Sequence, residues 1–231
     1  MDLCINLEDL VQLTDDVRNL GVHLAYTASW LEWPMVPKEY ALEEEVFRLM
    51  EYIKSKYTLN GLKSDKAVRA YRDFYWKIGI DPTKTRPSSE ALVRRILRGE
   101  FPRINPVVDA GNIASAYTMV PIGMYDLDRI TPPLALKLSA GGEPFKPLGG
   151  HEEILVPGYP VLVDGKGLIV HVYPHRDSSE TCVTSTTKKV LVVAAGVPRV
   201  EKELLIEAVK TVVRLMEKLA WRSCEKVEYK A

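Results

Sequence analysis

The chain has 231 residues, of which 46% are apolar and 27% are charged, and this composition excludes global disorder. Lysine plus arginine equals aspartate plus glutamate, 31 of each, so no overall field favours nucleic acid or a membrane surface. The three cysteines (Cys4, Cys182, Cys224) are widely spaced, which favours a reducing cytoplasm over a disulfide framework or a zinc site. Without a long apolar run or a signal core, the sequence predicts a cytoplasmic protein with no membrane partner.

The first 63 residues are interpreted as an extension of strands and a helix. Short apolar runs at 3–7 and 22–26 predict strands, and Asp15-Asp16 predicts a turn. An irregular link follows, marked by Trp30, Trp33, Pro34 and Pro37. Apolar residues then recur at helical spacing from Leu42 to about Tyr57, which predicts the first long helix.

Two more helices are predicted in the next part of the chain. Ser64 and Asp65 can cap a helix that runs to about Ile78. The proline-containing segment 80–87 is a linker, and Ser88 then opens a helix that ends before Gly99.

From residue 134 the apolar period changes to two, which predicts strands. The predicted strands are Leu134 to Ala140, Glu153 to Val156, Val161 to Asp164, Gly167 to Tyr173 and Val190 to Ala195. The Asp-Gly pair at 164–165 predicts a hairpin turn, and a final helix is expected from Lys202 to about Trp221. The sum is an α+β fold, interpreted as a single domain over 1–231 with an extension (1–63) and a core (64–231).

The stretch from Arg103 to Arg129 has an unusual composition. It places five polar residues among apolar residues and two prolines: Asn105, Asp109, Asn112, Asp126 and Asp128. That composition suits neither a plain core element nor a solvated loop, and it predicts a rigid polar site.

A basic cluster between Lys84 and Arg103 includes Arg94, Arg95 and Arg98. Arginine binds phosphates in a bidentate manner, so this cluster is a candidate contact for an RNA backbone. A solvated helix face is the alternative, and the sequence leaves both open.

Two further groups of polar residues stand out. His171 and His175 flank Tyr173 on one face of a predicted strand, and we interpret them as a structural pair rather than metal ligands. In the segment from Ser178 to Thr187, seven of ten residues carry hydroxyls, which suits turn capping or binding of a substrate and a water. Phosphate-loop, dinucleotide and nucleophile-elbow motifs are absent from the sequence.

A family resemblance is carried by two blocks, Ile104-Asn-Pro-Val-Val-Asp-Ala-Gly-Asn112 and Pro121-Ile-Gly-Met-Tyr-Asp-Leu-Asp-Arg-Ile130. They resemble the B3/B4 domain of the phenylalanyl-tRNA synthetase β chain, the tRNA-editing domain, and resemble more closely the freestanding proteins made mainly of that domain. Residues 81–97, 145–153 and 176–191 resemble further blocks of the family in the same order. The resemblance covers about 66–218.

The resemblance implies a three-layer α+β fold with a β-sandwich core, a helical N-terminal part and a long C-terminal helix. In the synthetase this domain hydrolyses the ester of tyrosine mistakenly joined to the phenylalanine tRNA, without a metal or a dissociable cofactor. An oriented water would attack the ester while polar groups stabilise the oxyanion.

The family's site residues are carried over position by position. Asn105, Asp109 and Asn112 match the shared motif, and Asp126 matches an aspartate that follows the synthetase's His-Ala-Phe. Gly123 replaces the histidine of that block, so open space is expected where the synthetase has an imidazole. The synthetase's glutamate falls at Ser179, one position before Glu180.

These assignments give the candidate site residues of the chain. The candidate catalytic residues are Asp126, Arg176, Ser178, Ser179, Glu180 and Thr184. The candidate substrate-binding residues are Asn105, Asp109, Asn112, Gly123 and Tyr125, of which the first three are also candidates for scaffold.

Three functions follow as hypotheses. The first is hydrolysis in trans of a mischarged aminoacyl-tRNA, the second is a non-catalytic tRNA-binding module that uses Arg94, Arg95 and Arg98, and the third is a binder of an amino acid or another small metabolite. No cofactor and no DNA partner are expected, and no protein partner can be named. The chain lacks the aminoacylation motifs of a complete synthetase.

Overall fold

The computed structural model describes residues 3–32 and 41–231, and every structural statement below concerns those residues. Within them the chain forms six α-helices: α1 (Asp15–Asn19), α2 (Glu43–Lys56), α3 (Lys66–Lys77), α4 (Ser88–Leu97), α5 (Pro106–Thr118) and α6 (Lys202–Lys218). The strands are β1 (Val11–Leu13), β2 (His23–Leu31), β3 (Ile122–Asp126), β4 (Leu134–Leu138), β5 (Pro144–Phe145), β6 (Glu153–Ile154), β7 (Pro160–Val163), β8 (Ile169–Val172), β9 (Arg176–Asp177), β10 (Lys189–Gly196), β11 (Trp221–Ser223) and β12 (Glu228–Lys230).

Two five-stranded sheets make up most of the β structure. Sheet A has the order β1-β4-β7-β8-β9, in which β1 is parallel to β4 and the other pairs are antiparallel. Sheet B has the order β11-β2-β10-β3, is antiparallel throughout, and also pairs β12 with β2. Strands β5 and β6 form a small separate hairpin.

The two sheets share one hydrophobic core. One face of sheet A contributes Leu134, Leu136, Leu162 and Val170 to that core, while its opposite face packs Val161 and its neighbours with Phe145 and Leu155 in a second cluster. On the far side of sheet B, α6 packs across β2 and β10 and also contacts α5. The layers are therefore helices, sheet B and sheet A, and the predicted α+β class is confirmed.

The stretch 103–129 folds into α5 and β3, both largely buried. Asn105 caps α5 by accepting a hydrogen bond from the Val108 N–H (2.9 Å), and Pro106 occupies the first turn, where its missing N–H costs nothing. A Cβ on Gly111 would lie 2.5 Å from Met124 Sδ, so a side chain at this position would force the flexible Met124 side chain to move away from α5. The polar residues of the stretch thus stand at the ends and on the packed face of regular elements.

The predicted helices at 42–57, 64–78 and 88–97 are confirmed, with Asp65 capping α3 through the Ala67 and Val68 N–H groups. Several other boundaries were wrong. Within the predicted strand at 3–7, residues 3–6 form turns, and Leu7 begins a short 3-10 helix (Leu7–Asp9). Asp15-Asp16 begin α1, and Trp30 belongs to β2. Trp33, Pro34 and Pro37 lie outside the described residues.

The last helix is shorter than its pattern predicted. It ends at Lys218, because Ala220 adopts a left-handed conformation (φ 60°) and Trp221 begins β11. Trp221 is buried as a residue of β11. Because an apolar residue at this position also fits the apolar stripe of a helix, the sequence pattern predicted a helix that was too long.

The expectation of unpaired cysteines was also wrong. Cys4 and Cys224 form a disulfide with a Cα–Cα distance of 5.4 Å, and Cys182 is free. Both partners lie beside β2, since the Cys224 N–H donates to Ala28 O and the Tyr26 hydroxyl donates to Leu7 O. Their separation of 220 residues in sequence concealed this proximity. The cytoplasmic location stays a prediction.

None of the helices in 3–32 and 41–231 combines the length and apolar character needed to cross a membrane.

Candidate functional site

A cavity of about 130 Å³ lies between α5, β3 and the β8–β9 hairpin. Its polar lining consists of Ser88, Asn112, Ser115, Tyr125, His171, Tyr173, His175 and Asp177. Apolar side chains, among them Leu162 and Val193, complete the walls. Because Ser88 is exposed and Asn112 is half-buried while Tyr125 is fully buried, the cavity leads from the surface into the core between the sheets.

His171 and Asp177 form the central polar pair of this cavity. They are direct cross-strand partners in β8 and β9, and His171 Nδ1 lies 2.6 Å from Asp177 Oδ1. A carboxylate accepts hydrogen bonds, so Nδ1 carries the proton that it shares with Asp177. Within the described residues, the buried Nε2 has no hydrogen-bond partner. The arrangement places the His171 ring in the cavity wall, oriented by an acid.

Tyr125 places a phenol beside that histidine. The two rings meet edge to face with centroids 5.9 Å apart, and the Tyr125 hydroxyl is buried without a hydrogen bond of ordinary geometry in the described part of the chain. Burial raises the pKa of Tyr125 well above its ordinary value, and the negative charge of the Asp177 carboxylate, which is also near enough to act as an acceptor, reinforces this effect. The phenol is therefore protonated.

The space expected at Gly123 is filled. A Cβ on Gly123 would lie 1.8 Å from Tyr125 Oη, so the prediction of open space at this position was wrong. The Tyr125 ring folds back over the glycine two residues earlier on the same face of β3. Where the resemblance placed an imidazole in the synthetase, this chain places a phenol from a neighbouring position.

His175 borders the same cavity from the end of the β8–β9 hairpin. Its ring lies 5.5 Å from that of Tyr75, and its Nδ1 is buried without a partner in the described structure. Burial, and secondarily the positive charge of Arg176, lowers the pKa of His175 to about 3. The imidazole is therefore neutral near pH 7.

Asp126 lies at the end of β3 and does not line the cavity. Its Oδ1 accepts from the Asp128 N–H (3.0 Å), and its Oδ2 accepts from the Thr187 hydroxyl (2.6 Å). The Asp126 N–H donates to Thr181 O (2.8 Å). Asp126 thus fastens β3 to the hydroxyl-rich segment.

The hydroxyl-rich segment hydrogen-bonds mainly to itself and to adjacent backbone. Ser178 Oγ accepts from the Glu180 N–H, and Ser179 Oγ donates to Lys146 O. Thr184 Oγ1 lies 3.0 Å from Thr186 Oγ1, while Glu180 is exposed. These side chains do not join the cavity lining, and a direct catalytic role for them stays a prediction.

Of the motif residues at the start of α5, Asn112 alone reaches the cavity. Asn105 caps the helix. Asp109 is buried, accepts from the Ile104 N–H (3.0 Å) and pairs with Arg103 (3.2 Å). Burial raises the pKa of Asp109, against the opposing effects of that hydrogen bond and of Arg103.

The basic cluster is split by its packing. The fully buried Glu90 accepts from Arg72 and Arg94, and Arg94 also donates to Leu59 O. Burial alone would raise the pKa of Glu90, but the two guanidinium groups outweigh it and hold that pKa below its ordinary value. Arg95, 3.8 Å from Glu100, and Arg98 are exposed on α4. The structure thus leaves two of the three arginines on the surface.

The cavity's histidine–aspartate pair was missed by the sequence interpretation, which treated His171 and His175 as structural. The sequence signal that could have revealed the pair is a turn within 173–176, because a hairpin around that turn places positions 171 and 177 opposite each other. Among the described residues, no group of three or more His, Cys, Asp or Glu is placed to hold a metal ion.

This combination of layered sheets and a polar cavity defines the chain as a layered α+β domain. The family model for the B3/4 domain matches residues 70–220, and the chain belongs to that family. The relation to the B3/B4 domain of the phenylalanyl-tRNA synthetase β chain is therefore confirmed.

Curated relatives include the phenylalanine–tRNA ligase β subunits of Malacoplasma penetrans and Pyrococcus abyssi. The first is 27% identical, with 51% of this chain and 15% of the relative covered. The second is 31% identical, with 33% of this chain and 18% of the relative covered. The chain spans less than a fifth of the length of these relatives.

A crystal structure of an N-terminal fragment of the phenylalanyl-tRNA synthetase β subunit from Pyrococcus horikoshii has the same fold. It superposes with a TM-score of 0.53 at 16% identity, covering 96% of this chain and 54% of the fragment.

Proposed function

We propose that this chain hydrolyses the ester of a mischarged aminoacyl-tRNA in trans, with the cavity receiving the aminoacyl group. The observation that carries the proposal is the unpartnered His171 Nε2, oriented by Asp177 beside the protonated Tyr125 phenol. The relation to the synthetase β subunit supplies the substrate class.

The chemistry follows from the groups that the cavity presents. His171 Nε2 would accept a proton from a water molecule as the water oxygen attacks the ester carbonyl carbon. The Tyr125 hydroxyl would donate a hydrogen bond to the carbonyl oxygen as it gains negative charge. When the intermediate collapses, the carbon–oxygen bond to the ribose breaks, and the protonated His171 returns its proton to the leaving ribose oxygen.

The size of the cavity limits what enters it. Ligand pockets for whole small molecules measure about 300–1,000 Å³, whereas this cavity measures about 130 Å³. It therefore suits an amino-acid side chain and its ester group, while the nucleotide end of the substrate stays outside.

A deacylation assay with defined mischarged tRNAs tests the proposal. We expect at least one aminoacyl-tRNA to be hydrolysed above the buffer rate, and His171→Ala to lower that rate by about 10²–10⁴-fold, the usual contribution of a general base. Asp177→Asn should lower kcat as well, because the amide does not hold the His171 tautomer. His151→Ala, which removes an exposed histidine outside the cavity, is the matched control.

Two results contradict the proposal: a broad panel without turnover, or a His171→Ala variant with the wild-type rate. The candidate that would then remain for the cavity is the third hypothesis, a binder of a free amino acid or another small metabolite. Calorimetry of the wild-type chain with the free amino acids would detect that function directly.

A further inference from the structure

A second cavity of about 310 Å³ lies beside the first and shares His175 with it. The segment between α3 and α4 forms one side, and Tyr159 and Arg176 form the other. The common residue makes the two cavities neighbouring parts of one surface. Part of its lining (Asp81, Lys84, Thr85 and Arg176) comes from the family blocks at 81–97 and 176–191, but the proposed chemistry gives this second cavity no role.

Arg176 offers an unused donor at this cavity. Its Nη2 lies 2.6 Å from Glu153 Oε1, and its guanidinium carbon lies 5.3 Å from the centre of the Phe145 ring. These contacts fix the plane of the guanidinium group. Its Nε, however, is buried without a hydrogen-bond partner in residues 3–32 and 41–231. A buried donor without an acceptor is costly, and an anionic ligand would satisfy it.

Lys84 provides a second positive charge. It is exposed and makes no ion pair within 4 Å among the described residues. Asp81 also lines the cavity, and its Oδ1 accepts from the Thr83 hydroxyl (2.7 Å) and N–H (2.8 Å). These hydrogen bonds, together with the charge of Lys84, lower the pKa of Asp81, so its carboxylate keeps its negative charge. The cavity thus presents Lys84 and Arg176, whose charges are partly balanced by Asp81 and Glu153, together with the half-buried ring of Tyr159, on which a base or a sugar can pack.

We propose that this second cavity binds the phosphate-bearing nucleotide end of the substrate whose aminoacyl group enters the first cavity. The inference rests on the proposed function for the identity of the acyl group. Lys84 and Arg176 would hold the phosphate, Tyr159 would pack against the nucleoside, and the neutral ring of His175 would lie where the ester joins the two parts.

Equilibrium binding to the full chain tests the subsite without any turnover. Titrations would use adenosine 5′-monophosphate (AMP), adenosine and inorganic phosphate as probes. We expect AMP to bind at least about tenfold more tightly than either adenosine or phosphate, since one charge-assisted contact corresponds to about a tenfold change. Lys84→Gln should weaken AMP binding by a similar factor. Lys166→Gln, which removes an exposed lysine at the opposite end of the β7–β8 hairpin, should not.

Arg176→Gln should weaken AMP binding more than Lys84→Gln does, provided that its melting curve shows a folded protein. Phosphate that binds as tightly as AMP would reduce the cavity to a simple anion site and overturn the nucleotide assignment. AMP affinity that is unchanged in both Lys84→Gln and a folded Arg176→Gln would overturn it as well.

A kinetic comparison separates this inference from the proposed function. The ratio of kcat/KM for the aminoacyl-tRNA to kcat/KM for the methyl ester of the same amino acid should fall about tenfold in Lys84→Gln. If Lys84→Gln hydrolyses the aminoacyl-tRNA with an unchanged ratio of kcat/KM values and binds AMP as the wild type does, the nucleotide subsite is refuted and the proposed hydrolase stands. AMP binding that Lys84→Gln abolishes, without hydrolysis of any ester, would refute the hydrolase and leave the subsite.

Discussion

The phenol oxygen of Tyr125 occupies the volume that any side chain at Gly123 would need. A Cβ at position 123 would lie 1.8 Å from Tyr125 Oη and 2.4 Å from Tyr125 Cζ. The two residues therefore act as one unit on β3: the glycine admits the ring, and the ring carries the polar group into the cavity.

Gly123→Ala should destabilise the chain by about 1–3 kcal/mol, the usual cost of overpacking a core, because the Tyr125 ring must move. The same substitution made in a Tyr125→Ala background should cost less than about 0.5 kcal/mol. Urea unfolding of the four proteins measures the coupling between the two residues. Equal costs of Gly123→Ala in both backgrounds would show that the two side chains are independent.

His175 should make stability fall in mild acid. Its folded-state pKa of about 3 lies below the ordinary value of 6.5, so the unfolded chain binds a proton that the folded chain excludes as the pH falls from about 6.5 towards 3. This residue should lower the free energy of unfolding by about 2 kcal/mol between pH 8 and pH 5. Above about pH 7.5 its contribution should be constant, because the histidine is then neutral in both the folded and the unfolded chain.

Urea unfolding of His175→Gln at the two pH values checks this prediction, since the variant should lose that part of the pH dependence. His151→Gln, with its exposed histidine, should retain it. The groups that face His175 are Tyr75, Arg176 and His171, and none of these three residues is substituted in either variant. The same slope in wild type and His175→Gln would assign the acid sensitivity to other groups.

The Thr187→Val variant tests whether Asp126 stabilises the fold or takes part in the reaction. Thr187 donates to the buried Asp126 Oδ2, and the loss of that donor should cost about 1–3 kcal/mol of unfolding free energy. Ser185→Ala removes an exposed hydroxyl from the same segment and should change stability by less than about 0.5 kcal/mol.

The rate of deacylation per folded molecule should be retained in Thr187→Val, because neither Thr187 nor Asp126 lines the cavity. A rate that falls a hundredfold at unchanged stability would instead place Asp126 in the chemistry.

Arg95 and Arg98 should contribute to tRNA retention, because both are exposed on α4. The Arg95→Glu/Arg98→Glu variant should fold and should bind tRNA more weakly. The slope of log K against log salt concentration should correspond to about two fewer phosphate contacts. Gel shifts at several salt concentrations measure this effect, with Lys63→Glu/Lys210→Glu as the charge-matched control. Unchanged retention would exclude α4 as an RNA contact.

Arg94 is expected to behave differently from its neighbours on α4. Charge reversal at this position would leave the buried Glu90 beside a second acid, so Arg94→Glu should lower stability by about 3–5 kcal/mol. Melting curves of Arg94→Glu distinguish this loss of fold from a loss of RNA contact.

Local sequence determined the elements whose signals are local. Asp65 sets the start of α3, and short apolar runs set β7, β8 and β10, because caps and apolar runs depend only on near neighbours. Asn105 and Pro106 set the start of α5 equally locally, although no helix was predicted there. The motif blocks at 104–112 and 121–130 likewise indicated the family before any contact was known.

Only the tertiary structure decided which polar groups meet. The disulfide between Cys4 and Cys224 depends on both segments packing beside β2, and the pairing of His171 with Asp177 depends on the register of β8 and β9. The same holds for Tyr125, whose ring lies over Gly123 in the space that a side chain at position 123 would occupy. Sequence spacing names the residues that could form a site, whereas sheet register and burial select the atoms that face each other in it.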